Sequence, residues 1–208
     1  MKKLLILLFS FFLLSSPSVF ADDISDFSIE GISIGDSLLD YMTEDEILEQ
    51  IEINKGRYYY LEEPDKYAHV NLNKNLKQYD SLSLFIKNNS PNKYVTDNNE
   101  KYTILYLRGS KPYIENFDDC IKERNEIVEI LSRMFPNTER YEQTPVYTPD
   151  PSGNSIFNTI FFVFASGSQI DAYCTKLEET FRTKKNWTEG LSVSLTSSVV
   201  SDWMNGKK

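Results

Sequence analysis

The longest periodic stretch of the chain lies between residues 117 and 135, where apolar residues recur at spacings of three, four and seven. Charged residues fill the intervening positions, Asn116 precedes the stretch as a helix N-cap, and Pro136 follows it as a terminator. The pattern predicts an amphipathic helix over about 117–135. Its buried face would carry Phe117, Cys120, Ile121, Ile127, Val128, Leu131, Met134 and Phe135.

Alternating apolar and polar residues predict β-strands on both sides of this helix. The candidate strands are the segments 58–61, 67–72, 81–87, 102–108, 156–165, 169–177 and 191–195. The segment 156–165 is apolar on both faces, which is typical of a central, covered strand. Glycine, proline and serine residues predict turns at 109–112 and 166–168 and a loop over 137–153.

Two shorter helical patterns lie near the ends of the chain. Thr43 and Glu46 match a capping box, so residues 36–52 predict two short helices or one kinked helix. Residues 199–204 predict a short C-terminal helix in which Trp203 packs inward. Hairpins dominate the resulting order of elements, and few helices separate the strands. The sequence therefore predicts an α+β fold, with an antiparallel sheet of about five strands and the 117–135 helix packed on one face.

The first 21 residues have the three parts of a secretory signal peptide. Lys2 and Lys3 form a basic start, residues 4–14 are apolar except for Ser10, and cleavage is expected between Ala21 and Asp22. A transmembrane anchor is the alternative, but it needs about 17–25 apolar residues, and this run is much shorter. We expect export to the bacterial periplasm or the medium. The mature chain, residues 22–208, would be a single domain with mobile ends and no membrane span.

Composition narrows the possible partners. The chain has 208 residues and a formal net charge of −9, and loss of the two lysines in residues 1–21 would make the mature charge −11. Such acidity disfavours nucleic acid and anionic membranes as partners. With 40% hydrophobic residues, the chain is too apolar to be disordered. One histidine, two cysteines and no glycine-rich phosphate motif lead us to expect no metal and no cofactor.

The two cysteines fall on faces that could meet. Cys120 lies on the apolar face of the predicted long helix, and Cys174 lies on the same strand face as Ile170 and Ala172. An exported chain with two cysteines usually pairs them, so we predict a disulfide between Cys120 and Cys174. Two buried free thiols are one alternative. Redox chemistry is another, although the chain has no C-x-x-C motif.

Few residues could carry catalysis. His69, the only histidine, lies in a short predicted strand without a G-x-S-x-G elbow, which favours a structural or surface role. Carboxylate pairs can hydrolyse glycosides, but among 31 acidic residues a pair in sequence carries little information. The oxygen-rich segments 97–100 and 150–154 lack the spacing of a calcium loop. Tyr58, Tyr59 and Tyr60 beside Arg57 form either a binding surface or a strand with one buried face.

Residues 27–41 read F-S-I-E-G-I-S-I-G-D-S-L-L-D-Y. This start resembles that of a family of small secreted bacterial proteins, and looser similarities follow along nearly all of the mature chain. They fall at Tyr79-Asp80, Cys120, Cys174 and Ser201-Asp202-Trp203. The resemblance implies export and the cysteine pair. It implies nothing catalytic, because the family brings no charged signature that could be transferred to this chain.

The sequence therefore favours an exported bacterial protein that binds an envelope protein or a small ligand without catalysis. One alternative is a periplasmic hydrolase with a site built on carboxylates or on His69. Another is a secreted effector or inhibitor that acts on neighbouring cells. The positions predicted by number are the disulfide pair, Cys120 and Cys174, and the signal cleavage site at Ala21 and Asp22. Catalytic, cofactor-binding and metal-binding residues are expected to be absent.

Overall fold

Residues 23–87 and 102–207 are described by the computed structural model, so the predicted cleavage site and the segment 97–100 lie outside the described residues. Within these ranges, seven strands form one sheet. They are β1 (Tyr67–Leu72), β2 (Ser81–Lys87), β3 (Ile104–Pro112), β4 (Glu139–Gln143), β5 (Ile156–Val163), β6 (Gln169–Lys176) and β7 (Gly190–Thr196). The α-helices are α1 (Glu44–Ile53), α2 (Phe117–Met134), α3 (Glu179–Lys185) and α4 (Ser198–Met204).

The sheet is antiparallel throughout, in the order β1-β2-β3-β7-β6-β5-β4. Strands that follow one another along the chain are paired in β1–β2, β2–β3, β4–β5, β5–β6 and β6–β7, and β7 also pairs with β3. The predicted α+β class with an antiparallel sheet is confirmed. In the described part of the chain the sheet has seven strands rather than about five. None of the helices in the described ranges is long and apolar enough to cross a membrane.

One face of the sheet packs against α2. The alternation along each strand gives this face an almost continuous apolar surface, and the helix lies mainly over β6 and β7. The helix begins at the predicted Phe117 and ends at Met134, with the Asn116 side chain accepting the Asp119 backbone N–H. Buried residues on this face include Val70, Leu82, Leu84, Ile86, Leu107, Ile160, Phe162, Ile170, Ala172, Cys174, Leu191, Val193 and Leu195.

The predicted disulfide is present between Cys120 of α2 and Cys174 of β6. Their Cα atoms are 6.0 Å apart, and both side chains are fully buried. The bridge fixes the first turns of the helix to the sheet at the position where the apolar patterns of the two elements meet. A disulfide fits an oxidising compartment outside the cytoplasm.

Two predictions about strands in the second half of the chain are wrong. Residues 137–153 are not one loop, because Glu139–Gln143 form β4 at the edge of the sheet. The apolar strand at 156–163 is not central, since it lies next to that edge strand. Its second apolar face is covered by aromatic side chains instead, as Phe157 contacts Tyr173 and Phe161 stacks on Tyr141.

Two predictions in the first half also need correction. Residues 58–61 form turns rather than a strand. Residues 109–112 continue β3 rather than turn, because they pair with residues 190–193 of β7. Gly109 leaves room for the Tyr79 ring beside the strand. The helix α3 was not predicted at all. By contrast, the capping box of Thr43 and Glu46 is present at the start of α1, and Trp203 of α4 is buried as predicted.

The sheet face opposite α2 is covered differently. At one end, α4 and the segment 54–66 lie over it, and a second apolar cluster forms around Trp203 with Tyr67, Phe85, Tyr106 and Val200. Trp203 Nε1 donates to the Glu63 carbonyl at 2.7 Å, which joins the two covering segments. At the other end, Tyr147 contacts Phe157, Phe181 and Trp187. Between these two aromatic ends the strands carry polar side chains.

Candidate functional site

A row of polar side chains crosses the middle of the sheet on the face opposite α2. Ser83 of β2 is paired with Arg108 of β3, Arg108 with Ser194 of β7, and Ser194 with Asp171 of β6. Directly opposed residues on neighbouring strands have Cβ atoms about 5 Å apart. These four residues, here called the polar row, therefore form one continuous strip across four strands.

Arg108 is the charged centre of the polar row. It is partly buried, and its Nε has no hydrogen-bond partner among the described residues. The ion pairs found in the described part of the chain do not include Arg108. The charges of Tyr106 and Tyr173 and a side-chain hydrogen bond with Tyr173 raise the pKa of Arg108, and the guanidinium is charged as in any arginine. A buried N–H without an acceptor costs about 1–3 kcal/mol, so an acceptor supplied by a ligand would be stabilising at this position.

Asp171 places a carboxyl group at the β6 end of the polar row. Burial raises the pKa of its carboxyl to about 6, although hydrogen bonds from Ser194 and Gln169 oppose the shift. Ser194 Oγ donates to Asp171 Oδ2 at 3.0 Å. Because Ser194 lies between Arg108 and Asp171 in the row, the guanidinium and the carboxyl stand two strands apart. A ligand with an anionic group and a separate donor group could contact both.

Aromatic rings flank the polar row on both sides. Tyr58 contacts Phe85 and Trp203 at one side, and Tyr147 lies at the other side with Phe157. Burial raises the pKa of both tyrosines, and the charge of Arg108 opposes that shift in each case. The charge of Arg108 therefore acts on the tyrosines of both aromatic groups. Tyrosine and arginine are the residue types that most often dominate binding surfaces.

The predicted tyrosine surface lies at the rim of this site. Tyr59 and Tyr60 are 80% and 69% exposed, whereas Tyr58 is partly buried. The three residues do not alternate as in a strand, because they belong to turns above the sheet. Tyr60 also contacts the ring of Tyr58. The segment thus places two exposed aromatic rings beside a partly buried one.

His69 is buried beside the polar row, at 3% exposure. Its Nδ1 lies 3.3 Å from Arg57 Nη1, and its Nε2 lies 2.5 Å from Ser83 Oγ. A guanidinium can only donate, so Nδ1 is the acceptor and the ring proton is on Nε2, which donates to Ser83. Burial and then the charge of Arg57 lower the pKa of His69 to about 3. In this arrangement the ring has no lone pair directed at Ser83.

The acidic residues that the structure describes do not gather into a metal site. Among the described residues, no group of three or more His, Cys, Asp or Glu side chains could hold an ion. In the segment 150–154, the buried Asp150 carboxylate accepts backbone and hydroxyl hydrogen bonds from Ser152 and Ser155. Turn formation therefore accounts for the calcium-like composition of that segment.

The main side chains of the N-terminal motif at 27–41 make contacts within the chain. The Glu30 carboxylate accepts the backbone N–H groups of Lys77, Gln78 and Tyr79. Asp36 accepts the Ser33 N–H and the Tyr41 hydroxyl. Ile29 and Ile32 bridge across a tight turn and are buried. Glu30 thus holds the N-terminal segment against the loop before β2, and Asp36 fixes the conformation of the motif itself.

Sequence reasoning missed Arg108, Asp171 and their neighbours. Each occupies the polar phase of an alternating strand, which is the ordinary position of a solvated residue. The sequence does contain a signal: Arg108 and Asp171 lie on the same face of the sheet, and their cross-strand neighbours on that face are serines. Finding it required the register of four strands, including β7 between β3 and β6.

Comparison of the chain with protein-family models, curated proteins and solved structures finds no match.

Proposed function

We propose that this chain is a non-enzymatic binding protein of the bacterial envelope, and that it holds an anionic group of its ligand at Arg108. The observation that carries the proposal is the partly buried guanidinium that has neither an ion-pair partner nor an acceptor for Nε among the described residues. A carboxylate or another planar oxyanion matches the geometry of a guanidinium and would supply both.

The surroundings of Arg108 support a small organic ligand or a peptide end over a bare ion. The aromatic rings of Tyr58, Tyr60 and Tyr147 offer apolar surface on both sides of the charge. Asp171 offers an acceptor in the same row. A ligand that is acidic at one point, apolar in its body and a hydrogen-bond donor elsewhere would use all three features.

His69 and the polar row do not support the hydrolase alternative. The Nε2–H tautomer and low pKa of His69 oppose a role as general base toward Ser83. Glycoside hydrolysis needs two facing carboxyl groups. The polar row contains only Asp171 as a carboxyl group.

Export forms part of the proposal. The three-part N-terminus and the resemblance of residues 27–41 to secreted bacterial proteins support it, and the buried disulfide fits an oxidising compartment. Among such compartments, we place the protein in the periplasm.

The test is a thermal-shift screen of residues 22–208 against small carboxylates, phosphates, amino acids and short peptides. A ligand present at one hundred times its Kd stabilises the folded state by about 2.7 kcal/mol, which raises Tm by roughly 5–10 °C. Arg108→Met should abolish the shift. Arg133→Met, which removes an exposed charge from α2, should leave it unchanged.

The same variants should be compared in pull-downs from envelope fractions, with circular dichroism to confirm folding. A ligand or partner retained equally by Arg108→Met would place the binding site elsewhere and overturn the proposal. Turnover of a library compound that is lost in His69→Gln would favour the hydrolase instead.

A further inference from the structure

The strand β4 forms an open edge of the sheet. It pairs with β5 on one side, and the order of the described strands ends with it. All five of its residues are exposed. Backbone hydrogen bonds outside the ladders of the described residues include none from 139–143. Within residues 23–87 and 102–207, one side of the strand therefore presents N–H and C=O groups without a backbone partner, and such groups can pair with another strand.

The sequence of this edge is complementary to itself when read in opposite directions. If a second copy pairs antiparallel about a two-fold axis at Tyr141, Arg140 of each copy faces Glu142 of the other. Glu139 then faces Gln143, and the two Tyr141 side chains face each other. Register with β5 places Arg140 and Glu142 on the α2 side of the sheet, opposite Phe162 and Ile160. Both ion pairs would thus form on the same face.

Neighbouring registers lack this complementarity. A two-fold axis perpendicular to the sheet keeps α2 of both copies on one side, so allowed registers differ by two residues. Shifting the axis to residue 140 opposes Arg140 with Arg140, and shifting it to residue 142 opposes Glu142 with Glu142. Like charges directly opposite destabilise a strand pair. Within this strand, the Tyr141-centred register pairs opposite charges without opposing like ones.

Tyr141 strengthens the same register from the other face. Its ring stacks on Phe161 of β5, with centroids 5.3 Å apart and planes inclined by 24°. A second Tyr141 directly across the edge would extend this pair of rings into a row of four. Aromatic pairs opposed across antiparallel strands are among the stabilising cross-strand contacts.

We propose that a second copy of this chain pairs with β4 in the Tyr141-centred antiparallel register, giving a continuous sheet of fourteen described strands. The contact is one strand wide, so the dimer is weak and concentration-dependent. Because the two-fold axis is perpendicular to the sheet, the polar rows of both copies face the same side. The proposal does not depend on what binds at Arg108.

Sedimentation equilibrium of residues 22–208 over about 5–500 μM tests the pairing. Arg140→Glu and Glu142→Arg should each weaken dimerisation by roughly 10- to 30-fold, because each opposes like charges at two symmetric positions. The double variant Arg140→Glu/Glu142→Arg restores opposite charges and should recover wild-type affinity to within about 3-fold. Lys55→Glu, which follows α1 at the β1 side of the sheet, changes the net charge by as much as Arg140→Glu and should have no effect.

Cross-linking gives a second, geometric readout. Tyr141→Cys places two thiols opposite each other, so a short bismaleimide should yield a covalent dimer. Glu139→Cys faces Gln143 and should cross-link poorly. A chain that stays monomeric at all concentrations would overturn the proposal. A dimer that is indifferent to Arg140→Glu, or one that cross-links better through Glu139→Cys, would do the same.

Discussion

Removal of the disulfide tests how much the covalent link between α2 and β6 contributes to stability. Cys120 and Cys174 are 54 residues apart in sequence. In the chain-entropy account, closing a loop of this length lowers the entropy of the unfolded chain by about 14 cal/mol/K, or about 4 kcal/mol at 25 °C. Cys120→Ala/Cys174→Ala should therefore lose about 4 kcal/mol through the unfolded state alone.

The folded state adds a smaller loss. Both sulfur atoms are fully buried between α2 and the sheet. Alanine at both positions leaves a void whose cost is about 1 kcal/mol if the surroundings do not collapse. The double variant should then be about 5 kcal/mol less stable than the oxidised protein. For a chain of this size, that loss corresponds to a fall in Tm of roughly 10–20 °C.

Urea unfolding of both proteins, followed by circular dichroism, provides the measurement. Wild type in a strong reductant should lose about 4 kcal/mol, and the double variant should not respond to reductant at all. The slope m should be larger without the bridge, since the unfolded chain exposes more surface. A loss below about 1 kcal/mol with an unchanged slope would refute the reasoning, because it would mean that the bridge does not restrict the unfolded chain.

Three further predictions address single residues. Gly190→Ala should destabilise by about 2–4 kcal/mol in urea, because φ is +140° there and a Cβ would lie 2.4 Å from the Lys111 carbonyl oxygen. The folded-state pKa of Asp171, about 6, exceeds its ordinary value of 3.8. Its contribution to stability is thus present below pH 4 and lost as the pH rises through 6, so Asp171→Asn should gain stability over wild type at pH 8, by up to about 3 kcal/mol. Because the pKa of His69 is about 3, its ¹⁵N NMR signals should show the Nε2–H tautomer without titration from pH 8 to 5. Protonation near pH 6.5 would contradict the hydrogen-bonded Arg57–His69–Ser83 arrangement, in which His69 and Ser83 are buried.

Elements whose pattern is local and amphipathic were predictable from the sequence. The helix α2 was predicted at its first residue because its apolar face, its Asn116 cap and Pro136 all lie within twenty residues. The disulfide was predictable for a related reason, since each cysteine lies in the buried phase of its own element. Each of these predictions depends only on the alternation of apolar and polar residues within a single helix or strand.

Elements whose position depends on the rest of the molecule were not predictable. The strand β4 has five exposed residues, so it lacks the alternation that identifies a half-buried strand. Residues 58–61 are aromatic enough to predict a strand, yet they lie over the sheet, where Tyr58 and Leu61 are partly buried and Tyr59 and Tyr60 are exposed. Aromatic residues on both faces of β5 predicted a central strand, whereas tyrosines from its neighbours provide the cover.

The polar row was invisible to sequence analysis because it depends on register, and the same register supports its assignment as a site. The α2 face of the sheet is apolar in strand after strand, which is the arrangement that stability alone favours. On the opposite face, His69, Ser83 and Ser194 are buried but hydrogen-bonded, so their polarity costs little.

Arg108 differs, since it is charged, partly buried and incompletely paired among the described residues. A partly buried arginine without a counter-charge destabilises the free protein, and a bound anion would remove that cost. At position 108, an uncharged side chain therefore favours the stability of the free protein, whereas a guanidinium favours anion binding. Accordingly, Arg108→Met should fold at least as stably as wild type while losing the ligand.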